Sequence, residues 1–103
     1  MNDEMASQGP AASVVQPAGD LVAARLPALR STLREMVGSG TLHLTVDLTD
    51  VQAVDSAGIG LLISAHNSLK KAGGDLAVIH ASKDILELFR TMRIHQHFSV
   101  SGD

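Results

Sequence analysis

The sequence contains no cysteine, tryptophan or tyrosine, and only two phenylalanines and three prolines in 103 residues. Without cysteine, a disulfide framework, a thiolate metal site and a cysteine nucleophile are all excluded. Two aromatic residues are too few to provide the stacking faces that single-stranded nucleic acid requires, and no basic block accompanies them. Eight Lys and Arg stand against 11 Asp and Glu, a formal net charge of −3, spread along the chain without a run of either sign. No stretch approaches the roughly 20 apolar residues needed to cross a bilayer. The start, Met1 to Pro10, lacks the charged-then-apolar order of a secretory signal, so the cytoplasm is the expected compartment.

What is present is a chain of single-domain size with 45% hydrophobic residues, almost all Leu, Val, Ile and Ala. That composition suits helices layered on a sheet. Residues 1–12 are small and polar, without an apolar period, and are expected to form a flexible tail ahead of one domain over 13–103. Ser13 to Gln16 offers a short extended segment, closed by the turn chemistry of Pro17-Ala18-Gly19-Asp20. Leu21, Val22, Leu26, Leu29, Leu33, Met36 and Val37 then recur at helical spacing, an apolar stripe on a helix of about 15 residues. Pro27 is tolerated only in a first turn, so the regular helix is expected to begin near Arg25 or Leu26. Gly38-Ser39-Gly40 ends it.

Leu42 to Leu48 alternates, with Leu42, Leu44, Val46 and Leu48 on one strand face. After Asp55-Ser56-Ala57-Gly58, the residues Ile59, Leu61, Leu62, Ile63, Ala65 and Leu69 mark an apolar helix. It runs to Lys70-Lys71, which complement its dipole, and stops at Gly73-Gly74. Asp75 to His80 is too apolar to face water on both sides and reads as an inner strand. Ser82 caps a further helix that buries Ile85, Leu86, Leu88 and Phe89. A last short strand is expected at His97 to Val100. Strands and helices alternating through such short connections imply crossover units, hence a mostly parallel α/β sheet of about four strands with helices packed against it.

The segment Val54-Asp55-Ser56-Ala57-Gly58-Ile59-Gly60 places a hydroxyl where a helix begins and where first-turn N–H groups lack helical partners. A phosphate on Ser56 would add about −1.5 to −2 charges there, favoured by the helix end and opposed by Asp55. Gly58 and Gly60 are expected to leave the helix start bare for a close approach by a partner. Spacing alone favours a plain N-cap at Asp-Ser over phosphorylation, and the two readings are compatible.

The run from Asp47 to Met92 resembles the central portion of a STAS domain, the fold of bacterial anti-sigma factor antagonists. The resemblance rests on the acidic turn Asp47-Leu48-Thr49-Asp50-Val51, on Asp55-Ser56-Ala57-Gly58 opening a helix, on Gly73-Gly74 leading into Asp75-Leu76-Ala77-Val78, and on Leu88-Phe89. It extends over roughly residues 13 to 100. Such a domain implies partner switching. The unmodified antagonist binds an anti-sigma factor that is also a GHKL-type serine kinase, phosphorylation releases it, and a PPM-type phosphatase restores binding. By position Ser56 is the phosphoacceptor, with Ala57 in place of a second hydroxyl. Gly19, Asp20, Asp55, Ala57, Gly58 and Ile59 are the expected partner-binding residues. The N-terminal strand and C-terminal helix common in the family are expected to be missing, and a homodimer is a further expectation.

Other readings are weaker on the residues. Five histidines, at 43, 66, 80, 95 and 97, lack the carboxylate spacing of a metal site, and no metal or cofactor is expected. No GxSxG elbow makes Ser56 an enzyme nucleophile, and Gly58-Ile59-Gly60 is too short for a phosphate-cradling loop, so no catalytic residue is assigned. An accessory subunit of a membrane transporter or a small-molecule sensor module would use the same fold.

Overall fold

In the computed structural model the chain is described over residues 12–102. Residues 1–11 of the expected tail, and the missing N-terminal strand, lie outside that span, whereas Ala12, expected in the tail, pairs with His43 as the first residue of a strand. Four strands, β1 (Ala12–Val15), β2 (His43–Asp47), β3 (Asp75–Ile79) and β4 (Ser99–Val100), form one sheet in the order β1-β2-β3-β4. All three pairings are parallel, with Val15 beside Val46, Val46 beside Val78 and Val78 beside Val100. The connections carry helices α1 (Leu26–Gly38), α2 (Ser56–Lys71) and α3 (Lys83–Thr91). This is the mostly parallel α/β layering that the alternation of elements predicts.

Right-handed connections that all step in one direction lay their helices on a single face of the sheet. Burial follows this pattern. Leu44, Val46, Leu76 and Val78 are buried toward the helices, while Thr45, Asp47, Ala77 and Ile79 on the other face are half-buried. The strand at 75–79 is therefore inner by its two neighbours, but it is covered fully on one face only. Both phenylalanines reach the core with the aliphatic residues: Phe89 is fully enclosed, as are Leu62, Leu69 and Val78.

The ends of the helices follow local chemistry. Pro27 lies in the first turn of α1, where its missing N–H costs no helical bond. Helix α1 closes on Gly40 in the left-handed region, with Gly40 N–H donating to Val37 C=O at 3.2 Å and Thr41 N–H to Met36 C=O at 3.0 Å. Helix α2 repeats this paired closure at Gly73 and Gly74, while α3 ends on Arg93 at φ 58°, whose N–H donates to Arg90 C=O at 3.0 Å. The Ser82 hydroxyl accepts from Ile85 N–H at 3.2 Å and caps α3, as its position predicts. One expectation is corrected: Leu21 and Val22 are not in the α1 stripe. Leu21 instead pairs with Val54 as an isolated parallel bridge, its N–H and C=O being used by Ala53 and Asp55.

Candidate functional site

The loops after β1, β2 and β3 gather at the carboxyl end of the sheet, the end where open α/β sheets bind. Two of them are tied together there. Leu21 N–H donates to Ala53 C=O at 3.0 Å, and Asp55 N–H donates to Leu21 C=O at 3.1 Å. Asp20 reinforces this seam, its Oδ1 accepting from the backbone N–H of Gln52 at 2.9 Å and Ala53 at 3.1 Å. Gln16 Nε2 adds a bond to Asp50 Oδ2 at 3.0 Å.

Helix α2 starts on this seam. Asp55, in extended backbone, is its N-cap: Oδ1 accepts from Gly58 N–H at 2.9 Å, and Oδ2 from Ala23 N–H at 3.0 Å. These bonds, led by that from Gly58, hold the Asp55 carboxyl below its usual value of 3.8. The capping role thus falls to Asp55 and not to the serine beside it. Ser56 is the first residue of α2, exposed, and its hydroxyl has no hydrogen-bond partner among the described residues. The donors at the helix start turn toward the Asp55 carboxylate, so an anion on Ser56 would find that end of the helix already engaged.

The residues around Ser56 divide into two groups. Ala57 is exposed beside it, and Gly19 and Asp20 are half-buried across the seam. Gly58 and Ile59 lie beneath the surface and shape it from inside. The bareness expected at Gly58 serves the chain itself: a Cβ there would lie 2.2 Å from the Leu21 carbonyl oxygen, so no side chain fits between α2 and the seam. Gly60 is the open glycine, exposed and with no neighbour within 4 Å of the place a Cβ would take. At Gly19 the space for a side chain is filled by the Arg25 guanidinium.

A third cluster escapes sequence reading. Asp47 Oδ1 accepts from Thr49 Oγ1 at 2.6 Å and Thr49 N–H at 2.9 Å, and lies 3.0 Å from His80 Nδ1. The two Thr49 bonds lead the causes that lower the Asp47 carboxyl from 3.8. The Asp-x-Thr spacing announces the local turn, but only the pairing of β2 with β3 delivers His80 to it. The other histidines go to separate places. His43 Nδ1 lies 3.1 Å from Asp75 Oδ1, at the amino end of the strands. His66 is buried against Phe98, ring centroids 5.6 Å apart, with Nδ1 lacking any hydrogen-bond partner.

An exposed helix-initial serine on a hydrogen-bonded loop seam, at the carboxyl end of a one-faced parallel sheet, characterises this small α/β domain. The chain belongs to the STAS domain family: residues 5–100 match the family model described as Mlab, STAS domain. It is 32% identical over 88 residues to the anti-sigma-B factor antagonist of Bacillus subtilis, covering 85% of this chain and 80% of that protein. Among solved structures, an anti-sigma factor antagonist from Mycobacterium paratuberculosis superposes with a TM-score of 0.80 at 21% identity, over 94% of this chain and 82% of that one. The anti-sigma factor antagonist SpoIIAA in its unphosphorylated form gives 0.78 at 13% identity, over 95% and 86%. SpoIIAA in its phosphorylated form gives 0.70 at 14%, over 95% and 89%.

Proposed function

We propose that this chain is an anti-sigma factor antagonist, a phosphorylation-gated binding module in which Ser56 is the gate and residues 13–103 are the working domain. Unmodified, it docks through Ser56, Ala57, Gly19, Asp20 and Asp55 on an anti-sigma factor that is also a GHKL-type serine kinase in the cytoplasm. Gly58 and Ile59 set the shape of that surface from below. The kinase transfers the γ-phosphoryl of ATP to Ser56 Oγ: an O–P bond forms, the bond to the β-phosphate oxygen breaks, and ADP leaves as the serine proton is lost. A PPM-type phosphatase adds water, returns the hydroxyl and releases inorganic phosphate. The antagonist itself binds and is modified; the partners are the enzymes.

The observation that carries this reading is the free, exposed hydroxyl at the start of α2, left idle because Asp55 takes the cap. Support comes from the name of the Bacillus subtilis relative and from a fold shared with SpoIIAA in both phosphorylation states. The electrostatics agree. This end of the sheet carries Asp20, Asp47, Asp50 and Asp55 against the nearby guanidinium of Arg25 at Gly19. A docked partner must therefore present cations or polar donors, and a new dianion at Ser56 enters a negative surface whose helix end is already occupied. Burying that dianion without matching cations costs several kcal/mol, enough to eject the partner.

The test is a pull-down with mass spectrometry comparing wild type, Ser56→Ala and Ser56→Asp, together with kinase and ATP treatment. One phosphate, absent from Ser56→Ala, and loss of the kinase from Ser56→Asp are expected. Because the hydroxyl is free, Ser56→Ala should melt within about 0.5 kcal/mol of wild type. Phosphate at another residue, or recovery of a transporter ATPase in place of the kinase, would overturn the proposal.

A further inference from the structure

Away from the serine, α1 and α2 leave a groove of about 300 Å³ between them. Its floor is apolar and nearly dry: Leu33, Leu61 and Ala65 are 3%, 6% and 7% exposed. One rim carries Arg30 and Arg34 of α1, the other Ser64 and Ser68 of α2, all exposed. On each helix the rim pair recurs at four-residue spacing, so the two cations stack along one edge and the two hydroxyls face them along the other. The lining contains no acidic residue, and among the described residues neither guanidinium has a carboxylate within ion-pair distance.

Planar cations opposed by hydroxyl donors recognise a carboxylate or phosphate oxygen, and the apolar floor requires hydrocarbon attached to it. The size selects further. A groove of about 300 Å³ sits at the lower end of small-molecule sites and holds one short hydrocarbon chain. We propose that the α1–α2 groove is a second binding site, for a single-chain amphiphilic anion of the medium-chain fatty carboxylate class. Arg30 and Arg34 hold the headgroup, Ser64 and Ser68 donate to it, and the chain lies over Leu33, Leu61 and Ala65. The site begins more than one turn along α2 from Ser56 and does not depend on the phosphorylation gate.

The experiment is a titration of the full chain with decanoate, kept below its micelle concentration, followed by calorimetry and by backbone amide shifts. Acetate and decanol are the controls. Saturable one-to-one binding is expected, with shifts confined to the facing turns of α1 and α2 and both controls weaker by at least about tenfold. The double variant Arg30→Gln/Arg34→Gln, both changes at exposed positions, should lose at least about tenfold in affinity while keeping the wild-type melting temperature. Ser56→Asp should bind decanoate as wild type does, which separates this site from the gate. The proposal is overturned by absence of saturation, by decanol binding as well as decanoate, by an unaffected double variant, or by shifts centred elsewhere.

Discussion

Gly58→Ala and Gly60→Ala add the same methyl group two residues apart on α2, and the geometry assigns them opposite signs. At position 58 the new carbon would stand 2.2 Å from the Leu21 carbonyl oxygen, 2.9 Å from Leu21 Cβ and 3.0 Å from Val54 Cγ1. Ordinary contact needs about 1 Å more than the first of these. The obstructing atom is backbone, and it is held by the seam: Leu21 accepts from Asp55 N–H at 3.1 Å and donates to Ala53 at 3.0 Å. Relief must separate α2 from the β1–α1 loop. Overpacking of about 1–3 kcal/mol and about 1 kcal/mol for each weakened bond outweigh the roughly 1 kcal/mol that alanine gains in a helix. The net expectation for Gly58→Ala is a loss of about 2–4 kcal/mol, a fall in melting temperature of at least about 10 °C for a domain of this size. At position 60 no atom beyond the helix's own backbone and the adjoining residues lies within 4 Å of the added carbon, so only the helical gain remains, about 0.5–1 kcal/mol of stabilisation. Urea unfolding followed by circular dichroism measures both through the midpoint and slope. A Gly58→Ala protein as stable as wild type would refute the claim that the bare position is an internal packing requirement.

Other outcomes follow from the same structure. Burial, followed by repulsion from Lys70 and His97 and partly offset by Asp75, lowers His66 below the ordinary 6.5. The unfolded chain therefore takes up this proton first, and stability should drop as pH falls from about 6.5 toward the folded value. His66→Leu removes both that step and an unpartnered buried nitrogen, and is expected to gain about 1 kcal/mol at neutral pH; urea midpoints against pH should show wild type and variant diverging below 6.5, and parallel curves would sink the assignment. Asp47 and Asp55 are both depressed, so their stabilisation is complete above 3.8 and is lost at lower pH, a second decline that His66→Leu should retain. Arg93 closes α3 at φ 58°, a conformation in which a side chain is strained; Arg93→Gly should raise stability by about 0.5–1 kcal/mol in thermal melts, and a lower melting temperature would contradict it.

Much of the fold was legible because its signals are local. The alternation of Leu44, Val46 and Leu48 requires only a period of two, and the Leu61, Leu62, Ala65 and Leu69 stripe only a period of 3.6. Gly40 and Gly73 mark helix ends through φ angles that other side chains adopt at a cost. The site was half legible for the same reason. That a hydroxyl stands at a helix start is readable from Asp55-Ser56 ahead of an apolar run. Asp55 takes the cap through the Gly58 N–H three residues on, a local bond, but its second carboxylate oxygen is held by Ala23, more than thirty residues earlier in the chain.

By itself, then, the amino-acid order determined the succession of strands and helices, the one-sided burial of β2 and the position of Ser56 at the head of α2, since each follows from a few neighbouring residues. Tertiary structure decided what those positions mean. It moved Leu21 out of a helical stripe into a bridge with Val54 and turned Gly58 from an opening for a partner into a seat for Leu21. It also brought His80 to Asp47 and set Arg30 and Arg34 across a groove from Ser64 and Ser68. Those relations join segments distant along the chain. Their geometry comes from parallel crossovers and close packing, which no local period encodes.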